Sequence, residues 1–311
     1  MFTIFVRLPN HIGDACMSMP ALDLLEASGL KLSLIGKPTV GQLFEGTSRR
    51  FDPIEGIILE DMKRVRDLAN SVKEPRGILM PNSFGSALLF KTAGIKSAGY
   101  ATDGRSLLLE FAIPEPGKMH EAKRFWTLAM KALEAWKIKP AYTEMPNRLS
   151  MKLAQRNIAG ARNLANRINL PQRYAVLAPI AKGRHEGKEK YWKHFNDLVE
   201  PLRRRGIEPV VFPAADEIEA TKAAAPSATI YEPTSLGNFA AIASKAAVVI
   251  ANDSGVSHIA AAVHAPQVTI VGVTDVERTS PWSDRNIIVG EKGRWPEVSE
   301  VITAIDKVLG H

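Results

Sequence analysis

An α/β chain of two Rossmann-like halves facing a central cleft is what this sequence predicts, on three observations. β-rich apolar runs alternate with helical segments, as they do in parallel sheets. The alternation stops at residues 137–149 and then begins again. The length of 311 residues accommodates two cores, since domains of roughly 100–200 residues are the usual unit.

Residues 2–8 are β-rich, residues 9–13 turn, and Asp14 is placed to cap a helix running to Leu25. Strand-like runs follow at residues 32–35, 56–59, 77–80 and 98–100, with helical segments at 62–72 and 85–93. An amphipathic segment spans residues 120–136. The stretch after it, 137–149, carries Pro140 and Pro146 with little periodicity and reads as the connection between domains 1–149 and 150–311. In the second half, strands at 174–178, 209–212, 247–251 and 268–271 alternate with helices at 192–205, 218–225, 236–243 and 256–263. The last helix, 298–309, is free to pack back on the first half.

Composition narrows the function. Hydrophobic residues at 45% and charged residues at 23% are ordinary globular values, which excludes a disordered or fibrous chain. No apolar run approaches the roughly 20 residues that span a bilayer, and the opening residues 1–7 are too short for a signal peptide, so a cytoplasmic location is expected. The single cysteine, Cys16, leaves no disulfide framework or cysteine-built zinc site. A net charge of +7 favours an anionic partner, either a membrane surface or a phosphorylated ligand. Nucleic acid is not expected, because the basic residues are dispersed and no nucleic-acid motif appears.

Ligands of open parallel sheets bind beyond the carboxyl ends of the strands, so the segments there carry the candidate chemistry. Ala251-Asn252-Asp253-Ser254-Gly255-Val256-Ser257-His258 runs from an apolar strand into a small-residue helix. Unpaired N–H groups at a helix start attract phosphate, and His258 adds a donor one turn in. Asp253 and Ser254 acting only as helix caps is the competing reading, and the two are compatible. At the matching place in the first half, Pro9-Asn10-His11-Ile12-Gly13-Asp14 offers Asp14 as a general base that removes an acceptor hydroxyl proton. A capping aspartate with no catalytic duty is the alternative there. A third segment, residues 182–192, is glycine-rich and basic and offers Lys190 to stabilise a departing diphosphate, unless it is a solvated charged loop. It is no P-loop, because residues 183–188 are one short and Glu189 stands where Ser or Thr belongs. There is no G-x-G-x-x-G after the first strand, which weakens a nicotinamide enzyme, and no D-x-D, the nearest pattern being Asp275-Val276-Glu277. Transfer without a metal or cofactor is the expectation.

At these motifs the chain resembles the lipopolysaccharide heptosyltransferases of glycosyltransferase family 9, the heptosyltransferase II type in particular. The resemblance lies on Leu8-Pro9-Asn10-His11-Ile12-Gly13-Asp14, Pro81-Asn82-Ser83-Phe84-Gly85-Ser86-Ala87, Gly99-Tyr100-Ala101-Thr102-Asp103-Gly104-Arg105, Lys190-Tyr191-Trp192 and Asn252-Asp253-Ser254-Gly255 through His258. It implies a GT-B fold, an ADP-L-glycero-D-manno-heptose donor and an inner-core acceptor on lipid A at the inner face of the inner membrane. It further implies that Asp14 is the base and that Lys190 contacts phosphate. Asp216, Asp253, Ser254, Gly255 and His258 would hold the donor, while Asn10, Gly13, Asn82 and Ser83 lie on the acceptor side. Relatives often carry Thr and Pro where this chain has Ala251 and Val256, and hydroxyl side chains where it has Pro179-Ile180-Ala181. A nucleotide-sugar epimerase or hydrolase on the same fold, or a non-catalytic saccharide binder, remain the competing functions.

Overall fold

The computed structural model describes residues 2–182, 184–185 and 187–310. Gly183 and Glu186 of the basic third segment therefore lie outside the described residues. The chain divides into two compact units, Met1–Pro146 and Asn147–His311.

The first unit holds six parallel strands: β1 (Phe2–Arg7), β2 (Leu30–Gly36), β3 (Arg50–Pro53), β4 (Arg76–Leu79), β5 (Lys96–Tyr100) and β6 (Phe111–Ile113). Their spatial order is β3-β2-β1-β4-β5-β6, so the winding reverses between β1 and β4. One face of the sheet buries Phe5, Ile35 and Leu79 against Val65 and Ala69 of helix Ile58–Asn70 and Ala87 and Phe90 of helix Phe84–Thr92. On the other face lie helices Met19–Ala27 and Glu121–Ala135, which bury Leu22, Leu25, Phe125 and Leu128.

The second unit repeats the design. Strand β7 (Tyr174–Ala178) is followed by a short antiparallel pair, β8 (Arg184–His185) and β9 (Lys188–Glu189). Strands β10 (Glu208–Val211), β11 (Thr229–Ile230), β12 (Val248–Asn252), β13 (Gln267–Ile270) and β14 (Asn286–Val289) then complete a parallel sheet in the order β11-β10-β7-β12-β13-β14. Numbered within the unit, that order is again 3-2-1-4-5-6, with the reversal between β7 and β12. Every residue of β7 and β12 is buried, as expected for strands covered on both faces. Helix Val298–Leu309, which the sequence left free to return to the first half, lays Val301, Ala304 and Ile305 into this unit's core. Its apolar residues recur at helical spacing, so one face must be buried, and the sheet of its own unit supplies the cover.

The structure adds the strands β6, β8, β9, β11 and β14 to those the sequence suggests, and it departs from the expectations in other ways. The apolar run at residues 56–59 is not a strand. The Asp61 carboxylate accepts from the N–H groups of Glu55 and Gly56, Gly56 takes φ +88°, and helix Ile58–Asn70 begins there. The third strand is Arg50–Pro53 instead. Asp14 does not cap. His11 occupies the N-cap of helix Ile12–Met17, and Asp14 lies in its first turn. The helix stops at Ser18 and resumes as Met19–Ala27, because Pro20 supplies no N–H to continue the ladder. The segment expected to be helical from Trp192 forms only a 3₁₀ turn, Asn196–Leu198, and helix Val199–Arg204. Finally, helix Gln155–Arg167 carries few apolar residues and gave no sequence signal; it packs on helix Leu236–Ala243 with Gly160 against Asn238 and Gly237 against Asn157.

No helix among the described residues is long and apolar enough to cross a membrane. At the centre of the first sheet, a Cβ on Gly77 would lie 2.7 Å from the Phe90 ring, 2.9 Å from Ile95 and 2.9 Å from the carbonyl oxygen of Phe5. The oxygen belongs to the neighbouring strand and cannot move aside. Gly77→Ala is expected to destabilise the protein by about 1–3 kcal/mol, read as a lower urea midpoint at unchanged m-value.

Candidate active site

Parallel strands all end on one edge of their sheet, and the reversal of winding leaves a crevice there because the flanking connections depart to opposite faces. In the first unit the crevice lies between the ends of β1 and β4, whose continuity is sealed by the Met80 N–H donating to the Arg7 carbonyl at 3.1 Å. The β1 end contributes Asn10 and His11, both exposed, and Gly13 and Asp14, both half-buried. The β4 end contributes Asn82 and Ser83; Ser83 Oγ accepts from Ser86 N and caps helix Phe84–Thr92. All five predicted acceptor-side and catalytic residues of this unit therefore follow the two strands that flank the reversal. Asp14 stands in the first turn of its helix, where the macrodipole favours a negative charge. Its charge and, more strongly, burial push the Cys16 thiol up, so Cys16 remains protonated and is no nucleophile.

Two buried arginines underlie this edge. Arg7 donates through Nη2 to Asn10 Oδ1 at 2.7 Å and through Nη1 to the Leu8 carbonyl. Arg105 is fully buried and donates to the carbonyls of Tyr100 at 2.9 Å and Pro81 at 2.5 Å, and to Asn82 Oδ1 at 3.3 Å. Burial lowers the pKa of each to about 10, opposed by Asp61 for Arg7 and by Asp103 for Arg105. Both remain charged at neutral pH and hold the Asn10 and Asn82 side chains in place. Sequence reasoning gave neither a role; the available signal was an arginine closing the apolar run of β1.

In the second unit the crevice lies between the ends of β7 and β12. Asn252 closes β12 and is fully buried. Its Oδ1 accepts from Trp192 N at 2.9 Å, and its Nδ2 donates to the Pro179 carbonyl at 2.8 Å. One amide thus ties the loop after β7 and the Lys190-Tyr191-Trp192 segment to the turn before helix Gly255–Ala262. Asp253 is buried beside His258, with 3.7 Å between Oδ1 and Nε2. Burial opposes ionisation of Asp253, but His258, the Thr274 hydroxyl and the charge of Lys190 outweigh it and hold the carboxyl below its ordinary range. Lys190 is half-buried and close enough to act on that carboxylate.

The Ser254 N–H donates to Ser257 Oγ at 3.2 Å, but Ser254 Oγ and His258 Nδ1 are buried with no hydrogen-bond partner among the described residues. The first N–H groups of a helix have no intrahelical acceptor, and Gly255 and Val256 occupy those positions here. That is the arrangement of a site for an oxygen-rich anion. Asp216 sits apart, exposed on the turn Ala215–Glu217 after β10. Both its oxygens accept from Lys182 Nζ at 2.6 Å, and this partner lowers the Asp216 pKa. Thr274 is the member that the sequence reading did not name, while Asn252 and Lys182 entered it only as parts of their segments. Asp275 of the near D-x-D pattern caps the helix Val276–Thr279, accepting from Glu277 N at 3.1 Å.

Removing the Asn252 amide would strand a buried N–H and a buried carbonyl. Asn252→Ala is expected to cost about 2–4 kcal/mol, seen as a lower thermal midpoint.

Comparison with known proteins accords with this fold. The family described as glycosyltransferase family 9 (heptosyltransferase) matches residues 65–306. The chain is 24% identical to the lipopolysaccharide heptosyltransferase 2 of Escherichia coli K12, over 92% of this chain and 87% of that protein. Among solved structures, the ADP-heptose lps heptosyltransferase II of E. coli superposes with a TM-score of 0.79 at 21% identity, covering 99% of this chain and 98% of that one. The E. coli heptosyltransferase WaaC with ADP gives a TM-score of 0.76 at 21% identity over 100% and 99% of the two chains.

Proposed function

The chain belongs to glycosyltransferase family 9, and on that premise we propose that it is an inverting heptosyltransferase. It moves heptose from ADP-L-glycero-D-manno-heptose onto the inner core of lipid A-linked lipopolysaccharide. The observation that carries this reading is the helix start Ser254–His258 at the end of β12, whose first-turn N–H groups, with Lys190 close by, suit an oxygen-rich anion. A diphosphate presents the acceptor oxygens those groups need. The ADP and the ADP-2-deoxy-2-fluoro heptose held by E. coli WaaC are such ligands.

In the proposed reaction Asp14 takes the proton of the acceptor hydroxyl as its oxygen attacks the anomeric carbon. The bond from that carbon to the diphosphate breaks, and ADP leaves with the electron pair. Lys190 and the free amides before Ile259 stabilise the charge as it grows on the leaving oxygen, which lowers the barrier more than they tighten the ground state. Asp216, paired with Lys182 after the second parallel strand of the donor unit, takes the ribose hydroxyls, a role that the acid following the second strand has in doubly wound sheets. Asn10, Gly13, Asn82 and Ser83 serve the acceptor. Residues 1–149 form the acceptor half and 150–311 the donor half. The protein works at the anionic inner face of the inner membrane, drawn there by its net charge of +7.

Two measurements test the assignment. Asp14→Ala is expected to lower turnover by about 10²–10⁴-fold while ADP affinity stays within a few-fold; unchanged turnover removes Asp14 as the base. In titrations with nucleoside diphosphates, ADP is expected to bind more tightly than UDP or GDP. Donor consumption without any acceptor would instead indicate an epimerase or hydrolase.

A further inference from the structure

Among the described residues, seven large apolar side chains are exposed, all in the first unit, and six of them lie on three elements that follow β3, β4 and β5. Ile57, Ile58 and Leu59 form the start of helix Ile58–Asn70, and Phe84 and Leu88 lie one turn apart on helix Phe84–Thr92. Leu107 sits on the 3₁₀ turn Arg105–Leu108, two residues beyond the arginine that holds Pro81 and Asn82. Helix Phe84–Thr92 packs against both of the others, so the three elements are neighbours. Helices of a parallel sheet start at the carboxyl edge, which places these helix starts beside the acceptor residues.

The exposure is not residual. Ile58 is 73% exposed, Leu59 80% and Leu107 91%. Moreover Ile57 occupies an N-cap position without making a side-chain cap, where Ser, Thr, Asp or Asn would stabilise the helix by about 1 kcal/mol. Clustered apolar side chains of this kind mark a surface that another phase or partner covers.

We infer that this rim inserts shallowly into an anionic lipid layer and presents the acceptor edge of the first unit to the membrane surface. The choice of lipid rests on the proposed lipid-linked acceptor, whose sugars are tethered at the headgroups. Charge agrees with it: the chain carries +7 and is attracted to anionic headgroups from a distance. On helix Ile58–Asn70 itself the charges cancel, Lys63, Arg64 and Arg66 against Glu60, Asp61 and Asp67, so contact at the rim is apolar. Electrostatics therefore brings the protein to the surface, and the aliphatic side chains hold it there.

The test is flotation with phosphatidylcholine–phosphatidylglycerol vesicles, comparing the wild-type chain with the triple variant Ile58→Ser, Leu59→Ser, Leu107→Ser. The wild type is expected to float and to keep a bound fraction in high salt, whereas the variant partitions at least about tenfold more weakly. Its thermal midpoint should not move, since all three side chains are exposed. Heptose transfer to a delipidated oligosaccharide should be unchanged in the variant, and transfer to acceptor embedded in vesicles should fall. Equal vesicle binding by the two proteins would overturn the inference. So would a wild-type dimer that the triple substitution dissociates, with neither form binding vesicles. Vesicle binding that depends on the three residues, in a wild type that transfers no heptose, would uphold the rim and remove the transferase reading.

Discussion

Everything chemical in this protein depends on the parallelism of its two sheets. Because all six strands of each sheet run the same way, every strand ends on the same edge, and the loops that follow them collect there regardless of their distance in sequence. Both sheets adopt the order 3-2-1-4-5-6, so each has one reversal of winding and one crevice. The residues after β1 and β4 meet at the first, and those after β7 and β12 meet at the second.

The two crevices solve different electrostatic problems. The first is floored by buried cations, Arg7 and Arg105, whose hydrogen bonds to carbonyl and amide oxygens spread the charge into the strand-end loops. Such charges are costly to bury and are retained where they order a loop from beneath. The second is organised by a neutral group, the Asn252 amide, whose donors and acceptor bridge three segments without adding charge. Beside it, the Asp253 carboxylate is balanced by His258 and Lys190, so the helix start retains its positive character for an incoming anion.

The places where local sequence patterns mislead share one cause. At residues 56–59 an apolar run has the composition of a strand, yet the Asp61 carboxylate organises a helix start and leaves the run exposed. Helix Gln155–Arg167 has the opposite history: its sequence is polar, and its packing relies on glycine at the contact, where Gly160 and Gly237 admit Asn238 and Asn157. Hydrophobic periodicity reports burial, and neither segment follows that pattern. Where the strands are covered on both faces, as in β7 and β12, composition and structure agree closely.

The sequence by itself determined the two α/β halves and the strand-end loops that carry the candidate site, because a parallel sheet writes its strands as apolar runs and places its turns at their ends. Asp14, Asn82, Ser83, Lys190 and the Asn252 to His258 turn are all legible in that way. Only the tertiary structure decided what those residues touch. Asn252 bonds segments 60 and 73 residues away, Lys182 reaches 34 residues to Asp216, and Arg105 reaches 24 residues to the end of β4. Such partners are set by strand order rather than by local periodicity. The same holds for the burial of Asp253 beside His258 and for the exposure of Ile58, Leu59 and Leu107. Burial and proximity belong to the folded chain, and no single stretch of sequence carries them.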